Sequence, residues 1–210
     1  MTVIARILVV LALALCVAPA AQAASLKPAE LTERDRADIK RIEDYLNGIT
    51  TMRTRFLQVS SDGAVASGML TLARPGRMRF EYDPPTPTLL IADGTFLIFI
   101  DKQLDQTSHV FLRNTPVGVL VAENVKLSGA VTVTRMVRGP GALRVTVVRT
   151  DEPADGSLTL VFADAPLQLR QWLVIDAQGV QTTVTLADLE FGVAVNREMF
   201  RYDKARPTEN

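Results

Sequence analysis

The sequence has one cysteine, Cys16, one histidine, His109, and one tryptophan. Cys16 lies in the apolar stretch 7–17, which follows Arg6 and precedes Ala21-Gln22-Ala23. A charged start, a short apolar run and a small-x-small triplet make a secretory leader. The run is too short to cross a bilayer, which takes about 20 apolar residues. Leu15 stands before Cys16, where acylation of the cysteine would want a small residue, so Cys16 reads as apolar filler. Cleavage is expected to remove 1–23 and the cysteine with it, leaving 24–210 as a single domain without repeat or linker. That remainder can hold no disulfide, thiol nucleophile or thiolate metal site, although export would permit a disulfide.

Net charge is also missing. Lys+Arg and Asp+Glu are 23 each, and loss of Arg6 leaves the exported chain at about −1. Nucleic-acid binding needs a basic footprint that this chain lacks. Catalytic motifs are missing as well. Ser60, Ser61 and Ser67 lie outside any Gly-x-Ser-x-Gly, and there is no phosphate loop, His-Glu-x-x-His or dinucleotide fingerprint. The lone His109 sits in an expected strand and reads as a surface or packing residue. The acids Asp101 and Asp105, and Asp151, Glu152 and Asp155, fall at turns and match no calcium loop. No enzyme activity, metal or cofactor is expected. Aromatics are few, 6%, and the tail 203–210 is polar, which speaks against an outer-membrane barrel with its aromatic girdles.

One long helix comes first. Pro28 suits its start, Glu30 and Glu33 suit its positive end, and Gly48 ends it. Ile39, Ile42, Leu46 and Ile49 form an apolar face. Arg34, Asp35, Arg36, Lys40, Arg41, Glu43 and Asp44 read as a solvated face. After the helix the period becomes two. The alternating rows include Met78, Phe80, Tyr82; Val131, Val133, Arg135, Val137; and Leu167, Leu169, Gln171, Leu173, Ile175. Turn signals separate them, and about eleven short antiparallel strands are expected in a strongly curved or nearly closed sheet.

Two segments stand out. The stretch 114–124 breaks the strand pattern, with Thr115 as a cap, Pro116 in the first turn and Asn124 at the close of a short apolar helix. The run 89–100 is a hairpin around Asp93-Gly94. Pairing Ala92 with Thr95 puts Leu90, Leu97 and Phe99 on one side. Both faces are apolar. Either one face is core and the other lies under the long helix, or one face lines an apolar cavity.

Between these lies Leu-Ala-Arg-Pro-Gly-Arg-Met-Arg-Phe-Glu-Tyr, starting at Leu72. Arg77 and Arg79 alternate with Met78 and Phe80 and read as a solvated strand face. Arg74 stands at a strand end, where its fork of donors can reach the free carbonyls of a short covering helix.

The order Phe56-x-Gln58, Gly68-x-Leu70-x-Leu72, Arg74-Pro75, Arg79-Phe80-x-Tyr82, Ile91-x-Asp93-Gly94 and the Thr115-Pro116 helix resembles the LolA family of periplasmic outer-membrane lipoprotein carriers. The resemblance runs from Tyr45-Leu46 to an expected terminal strand at Phe200-x-Tyr202. It implies a mainly β fold: a half-open antiparallel β-barrel with an α-helical lid over an apolar cavity. It implies a periplasmic monomer that takes acylated lipoproteins from an inner-membrane ABC-type exporter and delivers them to an outer-membrane lipoprotein receptor. On that resemblance Arg74 is the lid latch, Met78, Phe80 and Leu90 line the acyl-chain cavity, and Pro116, Val117 and Leu120 belong to the lid. Leu97 and Phe99 join the cavity through the hairpin. Met78 and Phe80 replace bulkier aromatics of familiar relatives. A carrier of free lipid or glycolipid, or a periplasmic sensor of the same fold, would use the same cavity.

Overall fold

Thr32 starts the first helix because its side chain and Asp35 cap each other. In the computed structural model, which describes residues 27–202, the Asp35 N–H donates to Thr32 Oγ1 while the Asp35 carboxylate accepts the Thr32 N–H. The helix α1 is Glu33–Asn47, closed by Gly48. Pro28 therefore precedes the helix instead of opening it, since the reciprocal cap satisfies more donors than a proline can. The expected leader and the tail 203–210 lie outside the described residues.

Eleven strands follow: β1 Thr51–Ser60, β2 Val65–Ala73, β3 Arg77–Tyr82, β4 Thr88–Asp93, β5 Phe96–Asp101, β6 Gln106–Phe111, β7 Val131–Gly139, β8 Ala142–Arg149, β9 Gly156–Asp164, β10 Leu167–Asp176 and β11 Gln181–Phe191. They form one antiparallel sheet in the order β6-β5-β4-β3-β2-β1-β11-β10-β9-β8-β7. It is two meanders joined where β1 pairs with β11. The strands β6 and β7 end the sheet and do not pair with each other, so it stays open. The chain must then cross from one edge to the other over 112–130.

Alternation puts the main core on the inner face, under α1 and this crossing segment. Three rows depart from strict alternation, that of β11 passing from Leu186 to Leu189 at the irregularity opposite Arg53 and Arg55. A bulge between Val133 and Arg135 turns Val133 and then Met136 inward, so Arg135 faces out. Another between Leu169 and Gln171 brings Leu169 and Trp172 to the inner face. Each bulge adds one residue and reverses the parity after it.

The outer face of β2–β5 carries a second cluster, Ala73, Leu89, Ile91, Ile98 and Ile100. What covers it is the C-terminal segment, with Phe200 buried and Met199 and Tyr202 beside it, and not the long helix. Phe200 lies in a 3-10 turn, Arg197–Phe200, instead of a strand. The Arg79 side chain is mostly covered and donates to the Met199 carbonyl at 3.0 Å. Arg79 is thus a clamp on this segment rather than a solvated residue. Arg77 bonds locally to the Pro75 carbonyl.

The charged face of α1 is not all solvated either. Asp35 and Asp38 are each 7% exposed. Arg138 of β7 donates to Asp35 at 2.7 Å and to Asp38 at 2.8 Å, and Arg41 reaches Asp38 and Asp164. These pairs dock α1 on the β7–β10 half. The Thr32 hydrogen bonds, aided by Arg138, hold the Asp35 carboxyl down at about 2. Burial would raise Asp38, but hydrogen bonds from Arg138 and Arg41 outweigh it and lower its pKa. Both carboxyls have folded pKa values below their unfolded ones. Their contribution is therefore full above the ordinary value of 3.8 and is lost as pH falls toward about 2. Arg138→Ala is expected to lower stability by about 2 kcal/mol at neutral pH. The gap to wild type should shrink in that acid window. Urea unfolding at pH 7 and pH 3 checks both points; equal losses at the two pH values would show that the charges are not coupled to docking.

Candidate functional site

The crossing segment lies over the inner face of the sheet, where the lid is expected. It opens with a 3-10 turn, Leu112–Asn114, and then forms the four-residue helix α2, Gly118–Val121. This is much less helix than 114–124. The Thr115 hydroxyl donates back to the Leu112 carbonyl at 2.7 Å, so it finishes the first turn and does not cap the second. Gly118 lies so close to that turn that a Cβ there would stand 2.4 Å from the Leu112 oxygen. Pro116 and Val117 precede α2 and are half-buried, and Leu120 is buried within it.

The segment is anchored by Leu112, Leu120, Val121, Val125 and Leu127, all buried in the main core. Few polar ties hold it. The Val121 carbonyl accepts the Gly76 N–H at 2.7 Å. Asn47, the last residue of α1, donates to the Val125 carbonyl at 3.0 Å and accepts the Val125 N–H at 2.7 Å. Glu43 accepts the Leu127 N–H at 2.7 Å. Neither Asn47 nor Glu43 was legible as a lid residue, because a helix C-terminus and a solvated helix face give the same sequence signal. Asn47→Ala is expected to remove both bonds and cost about 1–2 kcal/mol. Amide exchange at Val125 should accelerate roughly tenfold, while exchange in β1 stays unchanged.

The expected latch, Arg74, lies in the β2–β3 turn beside Gly76. Its Nε and Nη1 are buried and have no hydrogen-bond partner among the described residues. The lid carbonyl expected of Arg74 is instead taken by the Gly76 N–H. Gly76 has φ 76°, and a Cβ there would stand 2.8 Å from Gly94 Cα, so only glycine brings this amide under the lid. Burial without a partner pushes the Arg74 guanidinium down from 12.5 to about 10.

The expected cavity residues share one face. Phe80, Leu90 and Phe99 are successive cross-strand partners, as are Met78, Ala92 and Leu97. The hairpin pairs Ala92 with Leu97 and not Thr95, a shift of two positions that leaves every side chain on its expected face. Exposure grades along the row. Phe80 is 4% exposed and Leu90 half-buried, while Phe99 is 46% exposed. Phe80 packs edge-on to Phe56 at 5.0 Å and to Trp172 at 6.2 Å. Side chains thus fill the space between lid and sheet near β3, and the apolar face emerges toward β5. Two grooves flank the lid. One, of about 740 Å³, runs along Asn114, Val119, Lys126 and Thr150. The other, of about 440 Å³, lies between the Pro75-Gly76 turn, Gly94 and Val121.

The acid cluster in the β8–β9 connection has a structural explanation. Arg149 bonds Asp151 at 2.8 Å, Glu152 at 3.2 Å and Asp155 at 2.9 Å. A guanidinium already fills the place a cation would take. His109 is exposed on β6 and meets only the Phe96 ring edge among the aromatics, at 5.9 Å. Among the described residues no helix is long and apolar enough to cross a membrane, and no group of acids and histidines has metal-site geometry.

A family model described as "Outer membrane lipoprotein carrier protein LolA" matches residues 47–203. The chain is 29% identical over 198 residues to an outer-membrane lipoprotein carrier protein of Pseudomonas aeruginosa, covering 90% of this chain and 92% of that one. A protein of the same name from Azotobacter vinelandii is 28% identical over 188 residues, covering 85% and 86%. Among solved structures, a LolA superfamily protein from Nitrosomonas europaea superposes with a TM-score of 0.47 at 8% identity, covering 78% of this chain and 97% of the other. The lipoprotein LppX of Mycobacterium tuberculosis gives 0.42 at 13% identity, covering 79% and 100%.

Proposed function

The chain belongs to the LolA family of outer-membrane lipoprotein carrier proteins, and from that premise we propose that it carries acylated lipoproteins by exchanging its lid for their acyl chains. The expected leader delivers it to the periplasm. There it takes cargo from an inner-membrane ABC-type exporter and releases it to an outer-membrane receptor. Its role is carriage, with no bond made or broken.

The observation that carries this reading is the lid itself. It bridges two unpaired sheet edges and lies on a continuous apolar face, held by five buried aliphatic side chains and a few polar ties. Burying those side chains is worth on the order of 8–15 kcal/mol. Each acyl chain of about fourteen methylenes gains about 11 kcal/mol on the same surface. Return of the lid thus offsets the burial of about one chain, which loosens the grip on cargo carrying more than one. The sheet hydrogen bonds do not change in the exchange. Met78, Phe80, Leu90 and Leu97 would then face the acyl chains, with Phe99 at the open end.

In this reading Arg74 limits the grip on cargo. A guanidinium with unpaired buried donors disfavours a fully apolar filling beside it. Native mass spectrometry of protein purified gently from the periplasm tests the function. A bound mass matching acylated polypeptide is the expected result. A bound free lipid would transfer the cavity to a lipid or glycolipid carrier. An empty protein in the presence of exporter and lipoprotein would overturn both readings.

A further inference from the structure

The two end strands of the sheet are guarded very differently. An unpaired edge is a template for another strand, and proteins blunt it with charge, proline, bulges or cover. The edge strand β7 carries Arg135 and Arg138 and is bulged between Val133 and Arg135. Its Val133 carbonyl also accepts the Ala29 N–H at 2.9 Å. The edge strand β6, Gln-Thr-Ser-His-Val-Phe, has no Lys, Arg, Asp, Glu or Pro. It pairs with β5 in unbroken register from Gln106 to Phe111.

The direction of its backbone follows from one bond. The Leu112 N–H donates to the Thr95 carbonyl at 2.9 Å. Antiparallel alternation then gives the β5 bonds to Gln106, Ser108 and Val110, and turns the N–H and C=O of Thr107, His109 and Phe111 outward. Among the described residues no strand pairs with them.

The edge also continues the apolar inner face. Ser108 is the partner of Phe99 and Val110 the partner of Leu97, so the two rows from the core run on into β6. Phe99 and Val110 are 46% and 50% exposed. A strand added outside β6 would lie along the rim of the face assigned above to acyl chains.

The geometry points to β6 as the docking edge for an extended segment of the cargo's own polypeptide, next to its acylated residue. This rests on the carrier reading above. A second copy of the chain is a poorer fit for the same edge. Stable interfaces bury about 1,200–2,000 Å², far more than one six-residue strand pair supplies. A cargo peptide needs no such area. Its acyl chains tether it, which makes strand pairing effectively intramolecular, at a concentration on the order of millimolar. The pairing uses main-chain groups that every peptide has. It would steady cargos of unrelated sequence, which a carrier of many lipoproteins requires.

The test compares two synthetic diacylglyceryl-cysteinyl peptides, one of about ten residues and one of about two, on the intact protein. With the long form, the amides of Thr107, His109 and Phe111 should exchange at least about tenfold more slowly; with the short form they should not change. His109→Pro removes an outward N–H without removing a β5 bond. It should weaken the long form by about tenfold and leave the short form unaffected, while His109→Ala, which keeps the amide, behaves as wild type. Exchange on the unmodified protein keeps the test valid if the proline variant misfolds. Equal protection by both forms, or none by either although both bind, overturns strand addition and leaves the carrier reading standing. Protection that rises with protein concentration without lipopeptide assigns the edge to a second copy and also overturns it. Failure of both forms to bind removes the carrier reading, and this inference with it.

Discussion

Replacing Phe80 with alanine is expected to lower the free energy of unfolding by about 3–5 kcal/mol. Phe80 is the buried end of the graded inner row, locked edge-on against Phe56 and Trp172 with Tyr82 alongside. Its removal takes away both transfer energy and ring contacts worth about 0.5–1.5 kcal/mol each. Neighbouring side chains belong to different strands fixed in one sheet, so they cannot easily move into the space. Urea unfolding should show a lower midpoint at unchanged slope. The variant should also bind hydrocarbon probes without opening the lid, because the void lies on the face proposed for acyl chains. A loss below about 1 kcal/mol would mean that the lid settles into the void, and that lid and sheet are more compliant than their packing implies.

Arg74→Leu should act in the opposite direction on stability. The substitution removes two buried donors that have no partner among the described residues. Arg74 is partly open to solvent, which discounts the gain to about 1–2 kcal/mol. Its folded pKa, about 10, lies below the ordinary 12.5. A guanidinium keeps its proton throughout the range in which the protein is folded, so the penalty on the folded state is present at every working pH. The stability difference between variant and wild type should therefore be independent of pH. The functional effect should be larger. On the proposed reading leucine removes the charge beside the acyl chains, so cargo should be taken up but released about tenfold more slowly for each 1.4 kcal/mol of added grip. Thermal unfolding and transfer of a labelled lipopeptide to receptor-bearing vesicles measure the two effects. A variant that melts lower and delivers at the wild-type rate would remove Arg74 from the release step.

Much of the architecture follows from local chemistry. Two-residue periodicity and turn signals suffice for the strand count, because inner and outer side chains see different solvents. The hairpin shows how robust this is: its register differs by two positions, yet Leu90, Leu97 and Phe99 keep their side. A shift of one would have reversed them, and that is what the bulges in β7 and β10 do. A bulge leaves no reliable local mark, because the extra residue is set by twist and closure across the sheet. Asp35 and Asp38 were hidden for a similar reason. A charged helix face looks the same whether water or Arg138 faces it.

The sequence by itself determined the class of the protein: an antiparallel β-chain behind an amphipathic first helix. It also placed Arg74 beside an apolar strand and kept Met78, Phe80 and Leu90 on one face. Only the tertiary structure decided that β6 and β7 are opposite edges and that 112–130 must cross between them. It alone decided that Gly76 holds the lid carbonyl while Arg74 stays unpaired, and that Asn47 clasps the lid. The reason is range. Period and turn chemistry act over a few residues. Lid contacts join positions far apart in the chain, Gly76 with Val121, Asn47 with Val125 and Glu43 with Leu127, and no local propensity encodes which of several equivalent polar groups will meet.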